Sequence, residues 1–186
     1  MEEEVKDLFE EFETERLILR KITSEDAKDL YENIYNNFEY YKYYYNFPFK
    51  DFEEYSKLVE KYDEWYKNGN HFRWGIVLKE NNKMIGLIQL HSKDNVNKNC
   101  RLAYILGYKY NGHGYMKEAA EKILNFAFDK LDFHRIEAEV VTINESSIKL
   151  AKSINMEEEK TRYESYLLNE KYYDQKVFVK INKKSK

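Results

Sequence analysis

The chain has 186 residues, of which 42% are hydrophobic and 35% charged, enough apolar material for one sizeable core and far from a disordered composition. Its 31 basic and 34 acidic residues leave a net charge of −3, which gives no overall drive toward nucleic acid or an anionic membrane. Cys100 is the single cysteine, which excludes an internal disulfide; no apolar run approaches the ~20 residues of a membrane helix, and the Met1-Glu2-Glu3-Glu4 start is acidic, so a cytoplasmic protein is expected.

Val5, Leu8, Phe9 and Phe12 recur at helical intervals, which predicts an amphipathic helical extension over residues 1–12, packed on the domain or on a second subunit. A single domain is expected over 13–181. It opens with a strand in "ETERLILRKI" and a helix in "TSEDAKDLYENIY" capped by Thr23 or Ser24. Two helices joined by an aromatic loop around Pro48 are expected from Tyr31 to Tyr66, with a stop at Gly69. The stretch "HFRWGIVLKENNKMIGLIQLHS" reads as a hairpin turning at 80–83, and "NCRLAYILGYKY" as a third, antiparallel strand.

A long amphipathic helix follows, with Met116, Ala119, Ala120, Ile123, Leu124, Ala127 and Leu131 on one face and a Glu118–Lys122 pair on the other. The strand "HRIEAEVV" after it should run parallel to the strand before it, as a right-handed βαβ unit. Asn144 caps a helix in "NESSIKLAKSI", and two last strands turn at Asn169-Glu170 before a fraying tail, 182–186. The fold class is α/β: a mixed, mostly antiparallel sheet flanked by helices, with one parallel βαβ unit.

Gly112 and Gly114 stand just before the long helix, in "KYNGHGYMKEAAEK". A helix start does not need two glycines; missing Cβ atoms let a backbone come close to a ligand, and free N–H groups at the positive end of a helix dipole favour phosphate. A turn that needs positive φ angles and binds nothing is the alternative. No Gly-Lys-Ser/Thr follows, and Lys117 occupies the third-glycine position of a dinucleotide fingerprint, so a different phosphate ligand is indicated.

In order, "CRLAYIL", "YNGHGYMKEA", the helix, "HRIEAEV" and "NESSIKLAKSINM" resemble the acyl-CoA core of the GNAT superfamily of N-acetyltransferases. "ETERLILRKITSEDAKDLYE" and "LLNEKYYDQKVF" are most similar to its ribosomal-protein N-acetyltransferase branch. The resemblance implies acetyl transfer from acetyl-CoA to a primary amine, a protein N-terminus or a small amine, by direct attack in a ternary complex. It implies that Asn111, Gly112, His113, Gly114, Tyr115 and Met116 form the pyrophosphate loop, that Ile105 and Leu106 pair by backbone with the pantetheine arm, and that Asn144 contacts pantetheine. Ser147 is then the candidate acid for the leaving thiolate. A homodimer is a family habit.

The chain departs from the family pattern where Asn111 replaces Arg or Gln, Met116 replaces Gly or Ala, Asn155-Met156 replace Gly-Phe, Arg101 stands in place of a Glu near the amine, and Ala151 in place of an acid Tyr. His91 is the candidate base that remains. Arg101 and Ala151 keep open a second expectation, a coenzyme A-binding sensor without catalysis. His71 and His134 have no partners at metal-ligand spacing, so no metal is expected. The run Tyr40-Tyr41-Lys42-Tyr43-Tyr44-Tyr45 falls where the resemblance places the acceptor pocket; the same Tyr and Lys interleaving as a single-stranded nucleic-acid surface is disfavoured by the acidic net charge.

Overall fold

A computed structural model of the chain describes residues 9–36, 43, 49–67 and 72–183. Residues 1–8, Gly69, His71 and the tyrosine run apart from Tyr43 lie outside the described residues.

The chain enters as extended backbone rather than as the end of a helix. Strand β1, Phe12–Glu13, pairs antiparallel with β2, Leu17–Arg20. Phe9 stacks on Trp74 at 5.0 Å between ring centroids, Phe12 packs on Phe126 at 5.0 Å, and the Trp74 indole donates to the Glu10 carbonyl at 2.7 Å. The apolar spacing at 9 and 12 therefore serves an extended segment whose rings pack on Trp74 of the sheet and Phe126 of a helix.

After β2 a 3₁₀ turn, Ser24–Asp26, continues into α1, Ala27–Leu30, and a π turn, Tyr31–Tyr35. Asp26 anchors the start by accepting both Arg20 guanidinium nitrogens at 2.7 Å and the Thr23 N–H at 2.8 Å. Helices α2, Phe52–Glu60, and α3, Tyr62–Lys67, follow, α2 capped by the Asp51 carboxylate. Then come β3, Phe72–Leu78, β4, Lys83–Asp94, and β5, Asn99–Leu106, as an antiparallel meander. Helix α4, Tyr115–Asp129, crosses to β6, Arg135–Val141, and α5, Glu145–Ser153, leads to the hairpin β7, Glu157–Leu168, and β8, Lys171–Ile181. Asn169 and Glu170, both at positive φ, make the hairpin turn.

The eight strands form one sheet in the order β1-β2-β3-β4-β5-β6-β8-β7. One core lies between the sheet and α4 and α5, built from Trp74, Ile88, Leu102, Ile123 and Phe178 among others. The other lies under α1 to α3, around Leu30, Ile34, Tyr55 and Val59. Glu118 does not pair with Lys122: its carboxylate is taken by Thr14 and Arg16, and the Lys122 ammonium sits 4.8 Å over the Phe12 ring. The β1–β2 turn reaches the first turn of α4, and a fixed guanidinium outcompetes a flexible lysine for the same carboxylate.

The expected parallel pair is present but short. β5 and β6 share only Asn99↔Arg135, Cys100↔Ile136 and Arg101↔Glu137, whereas β5 follows β4 as far as Leu106 and β6 follows β8 over its whole length. Beyond Arg101 the two strands part, and β6 does not pair with 102–105. Backbone groups left unpaired in this way need a partner from outside the sheet. No helix among the described residues is long and apolar enough to cross a membrane.

Candidate active site

The turn between β5 and α4 lies at the mouth of this gap. Gly112 and Gly114 have φ of +82° and +81°, a region that costs an L side chain ~1–2 kcal/mol. A Cβ on Gly112 would meet nothing within 4 Å, and one on Gly114 only the Arg16 Nη2 at 3.4 Å, so packing does not demand either glycine. Gly114 is the N-cap of α4 and offers no side-chain cap; the first intrahelical bond runs from Glu118 N–H to the Gly114 carbonyl at 3.1 Å. The N–H groups of residues 114–117 thus have no partner within the helix and stand at the positive end of its dipole.

Arg16 and Glu118 hold this turn in shape. Glu118 accepts the Thr14 hydroxyl at 2.6 Å, the Arg16 backbone N–H at 2.8 Å and the Arg16 Nε at 2.7 Å. Arg16 Nη1 donates to the His113 carbonyl at 2.9 Å, and its guanidinium lies 4.6 Å over the Tyr115 ring, on which the His113 ring also stacks. Burial alone would raise the Glu118 carboxyl, but the Thr14 and Arg16 hydrogen bonds outweigh it and hold the group below its ordinary value.

The turn opens on a cleft of about 570 Å³. It takes in Asn111, Gly112, Gly114, Tyr115 and Met116 from the turn, Ile105 and Leu106 from the parted edge of β5, and Asn144 and Ser147 from the start of α5. Every residue expected to hold the coenzyme lines it except His113, which turns its ring onto Tyr115 and its Nδ1 to the Asn111 carbonyl at 2.9 Å. Lys117 and Lys149 also line the cleft and supply the positive charge that Asn111 does not. A narrow trough with strand-edge amides along one wall and a helix N-terminus at its end fits a phosphate-bearing, extended ligand.

A second cavity, of about 260 Å³, lies where β5 and β6 part, lined by 101–104 and 138–141, and shares Tyr43, Tyr104, Asn144 and Ser147 with the cleft. Asn144 caps α5, its Oδ1 accepting the Ser147 N–H at 3.1 Å and the Ser146 hydroxyl at 2.8 Å; its Nδ2 has no partner among the described residues. The Ser147 hydroxyl likewise has none, while the Ser147 carbonyl accepts the Tyr104 hydroxyl at 3.4 Å. Burial pushes Tyr104 up to about 12 against the opposing Ser147 contact, so it stays a neutral donor at any working pH.

His91 lines this second cavity opposite Arg101, its ladder partner. Burial first, then Arg101 and Arg73, lower its pKa against the pull of Glu139, so the imidazole is neutral near pH 7. Its Nδ1 contacts the Ser92 hydroxyl at 3.0 Å, leaving Nε2 for another partner. Glu139 joins the same wall and is held by Arg162 at 2.6 Å and Arg101 at 3.2 Å. Cys100 is buried, lines neither cavity and is pushed up to about 12 by burial, which removes it as a nucleophile. Ala151 is fully buried in the core. Sequence reasoning missed Tyr104, Glu139, Arg16 and the two lysines; for Glu139 the signal was there, in the alternation of charged and apolar residues along β6.

Residues 16–157 match the acetyltransferase (GNAT) domain family. An uncharacterized N-acetyltransferase, p20, of Bacillus licheniformis is 33% identical over 146 residues, 78% of this chain and 82% of its own. The ribosomal-protein-S5-alanine acetyltransferase of Vibrio fischeri shares the fold with a TM-score of 0.83 at 23% identity, covering 96% of this chain and all of its own. The spermidine N-acetyltransferase of Vibrio cholerae in complex with CoA and spermine does so with a TM-score of 0.77 at 21% identity, covering 90% and 96%. The resemblance to the ribosomal-protein branch holds in the fold, and with a domain match over most of its length and a relative at this identity, the chain belongs to the GNAT family of acetyl-CoA-dependent N-acetyltransferases.

Proposed function

We propose that this protein transfers an acetyl group from acetyl-CoA directly to a primary amine, with both substrates bound at once. The observation that carries the reading is the meeting of two cavities at Tyr104, Asn144 and Ser147, one shaped for an extended phosphate ligand and the other lined by ionisable groups. The coenzyme pyrophosphate would lie on the N–H groups of Gly112, His113, Gly114 and Tyr115, with Lys117 and Lys149 nearby. Pantetheine would run along the open edge at Ile105 and Leu106, where a strand N–H polarises the thioester carbonyl, and the Asn144 Nδ2 would donate to it.

The amine nitrogen attacks the thioester carbon, the carbon–sulfur bond breaks, and its electron pair leaves on sulfur. Ser147 donates to that sulfur, because its hydroxyl is free, whereas the Tyr104 hydroxyl already faces the Ser147 carbonyl. His91 Nε2 takes the proton the amine gives up, directly or through one water. A free Ser147 hydroxyl at the junction and a neutral imidazole lining the second cavity support an active enzyme over a sensor, since a site kept only for binding needs neither. Calorimetric titration with acetyl-CoA, followed by thiol release with a panel of amines, tests the reading. Micromolar binding and amine-dependent release are expected, and the reading falls if acetyl-CoA does not bind.

A further inference from the structure

The charges around the second cavity are unbalanced, and the imbalance specifies the acceptor. Glu139 is the one acid, among the described residues, that lines either cavity. Both guanidiniums that reach it use the same oxygen, Oε1, with Arg162 at 2.6 Å and Arg101 at 3.2 Å. Arg162 does not line the cavity, whereas Arg101 does. Glu137, the ladder neighbour of Arg101, is occupied by Arg135 at 2.7 Å. Arg73, which bonds Gln89 at 2.7 Å, adds a third positive charge felt at His91. Two guanidiniums thus share one carboxylate, Arg162 the closer of them, and the group keeps a net positive charge on the side where Arg101 faces the cavity. A polyamine would bring further cations to a wall that already has an excess of them, whereas an anionic group on the ligand would gain a charge-assisted hydrogen bond there.

We propose that the acceptor amine carries an anionic group, a carboxylate or a phosphate, and that Arg101 receives it beside Glu139. The inference rests on the acetyltransferase reading of the two cavities. Arg101 binds the anion by the planar fork a guanidinium offers to such groups, the free Oε2 of Glu139 faces the amine end, and Arg162 acts at a distance by keeping Glu139 from quenching Arg101. The protein is thereby set against polyamines of the kind named for the Vibrio cholerae relative.

The test is acceptor binding to protein saturated with coenzyme A, so that turnover is not needed. The probes are L-amino acids against their carboxamides, phosphoethanolamine against ethanolamine, and spermidine. Tighter binding of one anionic member than of its neutral partner, by roughly tenfold to a hundredfold, is expected from a charged hydrogen-bonded pair. Which pair shows it identifies carboxylate or phosphate. Arg101→Gln should remove the discrimination, Arg101→Lys should keep part of it, and Arg162→Gln, outside the cavity, should reduce it severalfold. Equal binding of charged and neutral partners, tighter binding of spermidine, or discrimination that survives Arg101→Gln would overturn the proposal. Absence of coenzyme A binding would overturn it together with the acetyltransferase reading, and the coenzyme titration alone shows which has failed.

Discussion

Substituting Gly112 by alanine and by asparagine separates the two reasons for a glycine in the turn. At φ +82° with nothing within 4 Å of a built Cβ, Gly112→Ala meets no clash, so its cost is conformational alone, ~1–2 kcal/mol. For a chain of 186 residues that is about 2–8 °C in melting temperature. Asparagine tolerates the left-handed region, so Gly112→Asn should recover most of that loss. Affinity for coenzyme A should not recover with it. On the proposed binding mode, phosphate would reach the N–H groups at the start of α4 through the open space over Gly112, and a branched amide there should weaken binding by tenfold or more, about 1.4 kcal/mol. Thermal melts and calorimetric titration of the three proteins decide the matter. If Gly112→Asn restores stability and binds coenzyme A as tightly as the unmodified chain, the turn needs glycine for its backbone angle only, and the phosphate argument is wrong.

Gly114→Ala should destabilise by a similar ~1–2 kcal/mol, because the flexible end of Arg16 can move away from the new methyl group, and a chemical denaturation curve measures it. The Glu118 carboxyl is held below its ordinary value, so the stability it contributes is present above the unfolded carboxyl range near 4.3 and is lost as pH falls through the lower folded value. Glu118→Gln should cost ~1–2 kcal/mol at pH 7 and flatten that acid limb, as denaturant midpoints at several pH values will show. If His91 is the base, kcat/KM should fall as pH drops through a value below the ordinary 6.5, and His91→Gln should abolish that limb; a limb unchanged in the variant assigns it to the amine instead. Ser147→Ala should lower kcat about tenfold to a hundredfold at nearly constant KM for acetyl-CoA, and Tyr104→Phe should lower it less, since the hydroxyl it removes is spent on the Ser147 carbonyl at 3.4 Å.

Local signals made the donor side of the site legible. A glycine pair before a helix of strong amphipathic period, the strand ahead of it and an Asn three residues ahead of a Ser are short-range patterns, and the structure turns each into a wall of one cleft. The strand order was legible only in part: that β8 inserts between β6 and β7 depends on pairing across the whole sheet, which no window of residues records. The extended entry at Phe9 and Phe12 was misread because spacing by three fits a helix face, and the partners that override it, Trp74 and Phe126, are distant in sequence. The Arg16–Glu118 clamp escaped for the same reason, joining residues 102 apart. Arg101 was visible as a departure from a family pattern, but its meaning depends on Glu139 and Arg162, which other strands bring to it.

One departure from regular pairing produces both halves of the site. If β5 and β6 stayed in register beyond Arg101↔Glu137, the amides of 102–105 would be consumed by the sheet and the side chains of Arg101 and Glu139 would sit on an unbroken surface. Because the strands part there, the proposed donor would have an edge of β5 to run along, and the gap beside Arg101, Glu139 and His91 becomes the cavity assigned above to the acceptor. Tyr104 and Ser147 line both cavities, and on the proposed mechanism the amine would meet the thioester beside them. Closing the gap should therefore remove both functions together, whereas altering the charges on the acceptor side should change which amine is used and leave coenzyme affinity as it was. On that reading, the asymmetry is a physical reason for one fold to serve acceptors as different as a ribosomal protein and spermidine: the donor would be held by backbone, which substitution barely touches, and the acceptor by side chains, which substitution changes one at a time.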